Sequence, residues 1–145
     1  MGDRFCEPIL RYLRIKKVLP FVGKNARVLD VGCGEQASML RALAPRIRSG
    51  VGIDVRAREE KVGNIEILDR SFDGEPLSFP DNEFDCVFFI AVLEHLIHRD
   101  RVLREIHRVL KPGGTLLMTV PTWAAKPILE FLAFKLKVVS EEGVR

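Results

Sequence analysis

Short apolar runs alternate along this chain with segments whose apolar residues recur at helical spacing. Residues Arg4 to Leu19 repeat Phe5, Ile9, Tyr12 and Leu13 at that spacing and meet Pro20, which predicts an amphipathic helix ending there. Arg27–Val31 predicts a first strand, and a helix through Ala44 follows, stopped by Pro45. Gly50–Asp54 reads as a second strand. The segment Arg56–Gly63 is short for a helical crossover and leaves room for two helical turns at most. Asn64–Leu68 reads as a third strand with Asp69 at its carboxyl end, and turn chemistry at Pro80-Asp81-Asn82 closes the polar loop beyond it. Cys86–Ile90 is continuously apolar, the mark of a parallel strand buried on both faces. Arg101–Leu110 has a helical apolar stripe with Asp100 as its N-cap, Lys111–Gly114 breaks it, and Thr115–Val120 reads as a fifth strand. A largely apolar helix, Ala124–Val139, follows Pro121. Strands alternating with helices predict right-handed βαβ units, hence an α/β fold with a doubly wound parallel sheet and helices on both faces.

The stretch Val28–Gln36 is where chemistry enters. It runs from a buried strand into a Gly-x-Gly turn, Gly32-Cys33-Gly34, and on into a helix-compatible run. Glycine there permits positive φ and keeps Cβ atoms away from a ligand, and such a turn lies where α/β sheets bind nucleotide-like cofactors. Asp30, two residues before Gly32, puts negative charge where a pyrophosphate would sit. It therefore disfavours a nicotinamide dinucleotide and suits a ligand with a cationic amino acid portion. Cys33 is either a reactive thiol or a spacer between the glycines, and the spacer is preferred. Asp54, about twenty residues beyond the loop, can accept both hydroxyls of a ribose or cap a helix N-terminus.

Composition narrows the field. The chain has 145 residues, enough for one domain with a core, and a net charge of +3 that carries no nucleic-acid footprint. Cys6, Cys33 and Cys86 are widely spaced, which argues for a reducing compartment and hence the cytoplasm, and against a disulfide framework or structural zinc. The charged start lacks the apolar core of a signal peptide, and no apolar run approaches a membrane span. The apolar circumference of Ala124–Val139 predicts burial against its own sheet, against a second copy, or at a membrane surface.

From Arg27 to Pro121 the chain resembles the class I S-adenosylmethionine-dependent methyltransferases, particularly the small-molecule branch that includes quinone-biosynthesis enzymes. The resemblance rests on Val28–Gly34, Gly52-Ile53-Asp54, Leu77–Asp85, Leu93-Glu94-His95 and Arg108–Gly114 in the family's order. It implies a Rossmann-like sheet of order 3-2-1-4-5 and S-adenosyl-L-methionine as cofactor. Asp30 with Gly32, Cys33 and Gly34 would hold the methionine portion, Asp54 the ribose, and Asp69 or Asp73 the adenine amino group, with Asp69 preferred. Ala91 would line the pocket. His95, just past a buried strand, is the candidate base for an acceptor proton, or else it orients a helical turn. Some relatives bind metal through Glu-x-x-Glu-His, but Ala91 stands at the first acid, so no metal is expected. The family usually adds two strands after the fifth, so the chain reads as a truncated single domain that associates through Thr115–Val139. Two other functions compete with methyl transfer to a small-molecule acceptor. One is a cofactor-binding module or partner subunit without catalysis, the other a nicotinamide oxidoreductase.

Overall fold

A computed structural model describes residues 7–120 and 122–132. The amphipathic N-terminal segment forms α1 (Glu7–Val18), and a tight turn over Leu19–Phe21 contains Pro20. There follow β1 (Arg27–Val31), α2 (Ser38–Leu43) with Pro45 in the turn after it, β2 (Ser49–Asp54), β3 (Glu60–Val62) and β4 (Ile65–Asp69). The chain continues through β5 (Phe84–Phe89), α3 (Arg99–Val109), β6 (Leu110–Met118) and α4 (Thr122–Glu130). Residues 4–6 and 133–139 of the two expected terminal helices lie outside the described residues.

The strands form one sheet in the order β3-β4-β2-β1-β5-β6. Its parallel part, β4-β2-β1-β5-β6, is the expected 3-2-1-4-5 arrangement. The addition is β3, antiparallel to β4 with Val62 opposite Ile65. The Arg56–Gly63 segment is therefore half of a hairpin and not a helix. A two-residue Gly63-Asn64 loop of the kind that closes hairpins makes the turn, and the Asn64 amide fastens it by donating to the Ala44 and Ile47 carbonyls at 2.9 Å each.

Alternating side chains on the strands feed two cores. Leu29, Val31, Ile53, Val87 and Phe89 pack on one face with Val102, Leu103 and Ile106 of α3. Val28, Ile65, Ile67 and Phe88 pack on the other with Leu40 and Leu43 of α2 and Val18 of α1. Described residues of α4 join the first core through Ala124 and Ile128, as does Leu132 just beyond it. Of the three destinations expected for that helix, its own sheet takes this stripe.

Two local expectations are corrected. Asp100 is not the N-cap of α3; His98 occupies that position without a capping side chain, and Asp100 lies in the first turn. The carboxylate of Asp73, 25 residues upstream, caps this end instead, accepting from the Ile97 and His98 N–H groups at 3.0 and 2.7 Å. The Lys111–Gly114 break also lies inside β6, where pairing jumps from Phe84–Leu110 to Cys86–Thr115.

Candidate functional site

The carboxyl ends of β1 and β2 hold the two buried charged residues described, Asp30 and Asp54. Asp30 pairs in register with Gly52 of β2 and Phe88 of β5, so a strand flanks it on each side. No described residue donates a hydrogen bond to its carboxylate. Burial, and then the neighbouring charge of Asp54, push its carboxyl up to about 7. A buried acid with a charged acid beside it and no donor is costly by itself, and a cation brought alongside would relieve it.

Asp54 is well partnered. Its Oδ2 accepts from the Gly34 N–H at 2.9 Å, and its Oδ1 accepts from the Arg56 N–H at 2.9 Å. The Gly32 and Cys33 N–H groups donate to the Ile53 carbonyl at 2.8 and 3.2 Å. Strand β2 thus holds the glycine loop by main chain and side chain together. Asp54 begins no helix, so its expected alternative role as an N-cap is replaced by this bracing of the loop. A carboxylate has about four lone-pair directions, so acceptor capacity remains for a ligand hydroxyl.

Within the loop, Gly32 and Gly34 have φ of +81° and +73°. A Cβ on Gly32 would lie 2.3 Å from Val92 Cγ2, whereas one on Gly34 would meet nothing within 4 Å. Gly32 is needed for packing, and Gly34 leaves open space. Gly32→Ala should therefore destabilise the fold by about 2–3 kcal/mol, and Gly34→Ala by about 1 kcal/mol from the left-handed backbone alone. Denaturant unfolding measures both, and equal losses would remove Val92 from the explanation. Cys33 is half-buried; burial and the charges of Asp30 and Asp54 push its thiol up to about 12, and it donates to the Gly34 carbonyl at 3.4 Å. An un-ionised thiol is a poor nucleophile, which agrees with the spacer reading.

The remaining candidates lie at the same end of the sheet. Asp69 is exposed at the end of β4, in register with Asp54. Asp73 is occupied by the α3 turn and by His98 Nδ1 at 3.3 Å. The Ile97 and His98 N–H groups hold its carboxyl below the usual range. Ala91 is exposed with φ of +56°, an uncommon conformation for a residue with a Cβ, and its N–H donates to Thr119 Oγ1 at 2.7 Å. His95 is exposed in the turn Leu93–His95, which is anchored by buried Leu93 and by Arg99 Nε donating to the Leu93 carbonyl at 3.1 Å. Thr119 and Val92, which position Ala91 and Gly32, carry no sequence signal, because both act through contacts between distant segments.

The buried acid lacking a donor, the open glycine and the braced second acid fit a ligand with a cationic end and vicinal hydroxyls, as S-adenosylmethionine has. The chain belongs to the methyltransferase-domain family, whose model matches residues 29–118. Within that family it is of the class I S-adenosylmethionine-dependent kind, with a Rossmann-like sheet. It is 39% identical to the ubiquinone/menaquinone biosynthesis C-methyltransferase UbiE of Pseudomonas entomophila, over 67% of this chain and 42% of that protein. The chain thus spans less than half the length of the curated relative. Among solved structures it is similar to a chain of a complex that contains the Haloferax volcanii Trm112 methyltransferase activator. That match has 29% identity and a TM-score of 0.65, covering 80% of this chain and 54% of that one. The fold is shared with the N-methyltransferase NodS of Bradyrhizobium japonicum in complex with S-adenosyl-L-homocysteine. Here identity is 21% and the TM-score 0.62, with 81% of this chain and 63% of that one covered.

Proposed function

We propose that this domain binds S-adenosylmethionine at the carboxyl ends of β1 and β2 and transfers its methyl group to a small-molecule acceptor. The observation that carries the proposal is Asp30, buried beside Asp54 without a donor of its own. A pyrophosphate would worsen that charge, whereas a cationic amino acid end offsets it. In this reading Asp30 and the Gly32–Gly34 loop hold the methionine portion. Asp54 holds the ribose, Asp69 faces the adenine, and Ala91 lines the wall. Asp69 is preferred to Asp73 because the latter is already engaged by α3.

When bound, the cofactor supplies a methyl group activated by its sulfonium. What remains for the protein is to align the acceptor, exclude water and remove a proton. His95 is the residue for the last of these, exposed at the same end of the sheet on an anchored turn. The names of the similar curated proteins support carbon as the methylated atom and quinone biosynthesis as the setting.

Turnover of labelled methyl donor over a panel of acceptors tests the reading, with calorimetric titration of S-adenosylhomocysteine beside it. Asp54→Ala should weaken binding by about 1.5–3 kcal/mol, the worth of hydrogen bonds to a charged acceptor. His95→Ala should lower turnover while leaving that affinity nearly unchanged. Undiminished turnover would return His95 to a structural role, and unchanged affinity in folded Asp54→Ala would remove Asp54 from the site.

Self-association through Thr115–Leu132 belongs to the same reading. Among the described residues no strand pairs with the outer side of β6, and its Leu116, Leu117 and Met118 are only half-buried. Light scattering should give a mass that rises with concentration, and a monomer mass throughout would refute it.

A further inference from the structure

At the opposite end of the sheet, away from Asp30 and Asp54, the loops entering β1 and β2 and residues within β5 and β6 enclose an open crevice. It is lined by Phe21, Lys24, Arg48, Asp85 and Lys111, among others. Asp85 is the one acid in this lining; two donors bond it and one guanidinium lies nearby. The Arg27 N–H lies at 2.7 Å, Lys111 Nζ at 2.8 Å and Arg48 Nη2 at 3.9 Å. One carboxylate cannot neutralise Lys24, Arg48 and Lys111 together, so the crevice keeps an excess of two positive charges. Most of the donors remain unspent. Arg48 is half-exposed, with its loose contact to Asp85 its one ion pair among the described residues, and Lys24 is exposed and has none there. Asn25, at φ of +67°, and the bond from the Ala26 N–H to the Gly23 carbonyl at 3.2 Å fold the chain sharply around Lys24. The Phe21 ring, 60% exposed, adds an apolar wall.

We infer that this crevice is a second binding site, separate from the cofactor end, for a phosphate-bearing anion. A guanidinium fork and two ammonium groups around one space match the charge and oxygen geometry of phosphate better than those of a single carboxylate. The anion would be either a free phosphorylated molecule or the headgroup of an acidic lipid. For the second source, the exposed Tyr12, Leu13, Lys16 and Lys17 of α1 lead along the chain into Phe21 and supply further apolar and basic contacts.

Pyrophosphate titration of the 145-residue chain at low ionic strength, followed by amide NMR shifts, tests the free source. Co-sedimentation with phosphatidylglycerol vesicles, against phosphatidylcholine controls, tests the lipid source. Lys24→Gln and Arg48→Gln are the variants, since neither residue is tightly bonded in the fold, and each should weaken binding roughly fivefold. S-adenosylhomocysteine affinity should stay unchanged in both. Saturable pyrophosphate binding alone, lost with the variants, assigns a free phosphoanion. Variant-sensitive binding to phosphatidylglycerol, with or without pyrophosphate, assigns a lipid headgroup. Absence of binding in both arms, or binding that the variants leave unchanged, overturns the inference.

Discussion

At pH 8, without ligand, the Asp30→Asn variant should melt above the wild-type chain and yet lose most of its affinity for the cofactor. The folded protein raises the Asp30 carboxyl from 3.8 to about 7. Between those values the native state holds a proton that the unfolded chain releases. The contribution of Asp30 to stability is therefore fully present below about 4 and is lost as the pH rises through about 7. At 1.36 kcal/mol per pKa unit, the loss across that window reaches about 4 kcal/mol. Asparagine cannot ionise, so it removes the slope, at the cost of about 1–2 kcal/mol for a buried amide without a full set of partners. The net gain at pH 8 is about 2 kcal/mol, a rise in Tm of roughly 5 °C or more for a domain of this size. Near pH 4 the advantage should vanish or reverse. Asp73, Asp85 and Glu105, with carboxyls held below their ordinary values, act with the opposite sign. Their stabilisation is present above about 4 and lost on further acidification, so they leave the window to Asp30.

Ligand binding should show the mirror image. A cationic end beside Asp30 favours the ionised carboxylate, so binding should release a proton between about pH 6 and 7 and weaken as the pH falls. Removing the charge should cost about 2–4 kcal/mol of affinity, in the range seen when one partner of a buried charge pair is lost. Thermal melts from pH 4 to 8 and calorimetry in buffers of different ionisation enthalpy measure both effects. A variant with the wild-type pH profile and wild-type affinity would show that Asp30 is neither perturbed nor in the site.

Arg108→Ala should produce the other large effect, in the loop before β5. The Arg108 guanidinium donates to both Glu105 oxygens at 2.8 and 2.9 Å, to Asp81 Oδ1 at 2.8 Å, and to the Leu77 and Phe79 carbonyls at 2.8 Å each. Glu105 Oε2 in turn accepts from the Leu77 N–H at 2.8 Å. This one side chain fastens the loop before β5 onto α3. Hydrogen bonds to Glu105 and then Asp81 hold it charged, while its 30% exposure tempers what those contacts contribute. Truncation should cost about 2–3 kcal/mol, roughly 8 °C in Tm. Arg108→Lys keeps the charge but loses the fork and should recover less than half. Part of the loss should disappear in acid, because Glu105 stabilises only while ionised and its contribution fades as the pH falls below about 4. A melt within about 1 °C of wild type for Arg108→Ala would mean that the loop is held by its apolar contacts alone.

Much of this protein is legible in one dimension. Strand β5 announces itself as an apolar run, because a strand buried on both faces has few polar positions to spare. The helices show their stripes because α3 and α4 each bury one side. The main residues of the proposed site, Asp30, Gly32, Gly34 and Asp54, can be read at the strand ends, because a βα turn places its chemistry there whatever surrounds it. Tertiary structure decided the rest. The Arg56–Gly63 segment looked like a shortened crossover, and only pairing with β4 turned its second half into β3, although Gly63-Asn64 carried the hairpin signal. The sequence prefers Asp69 to Asp73 only by its place at a strand end, and what separates them physically is the arrival of the α3 N-terminus beside Asp73. Val92 over Gly32 and Arg108 under the Leu77–Asp81 loop act across long sequence separations. The elevated carboxyl of Asp30 belongs to the same class. Burial and the field of Asp54 cause it, and both exist only once β1 and β2 lie side by side. Local pattern specifies elements and strand-end chemistry, whereas electrostatic environment and capping depend on distances between segments that only the folded chain brings together.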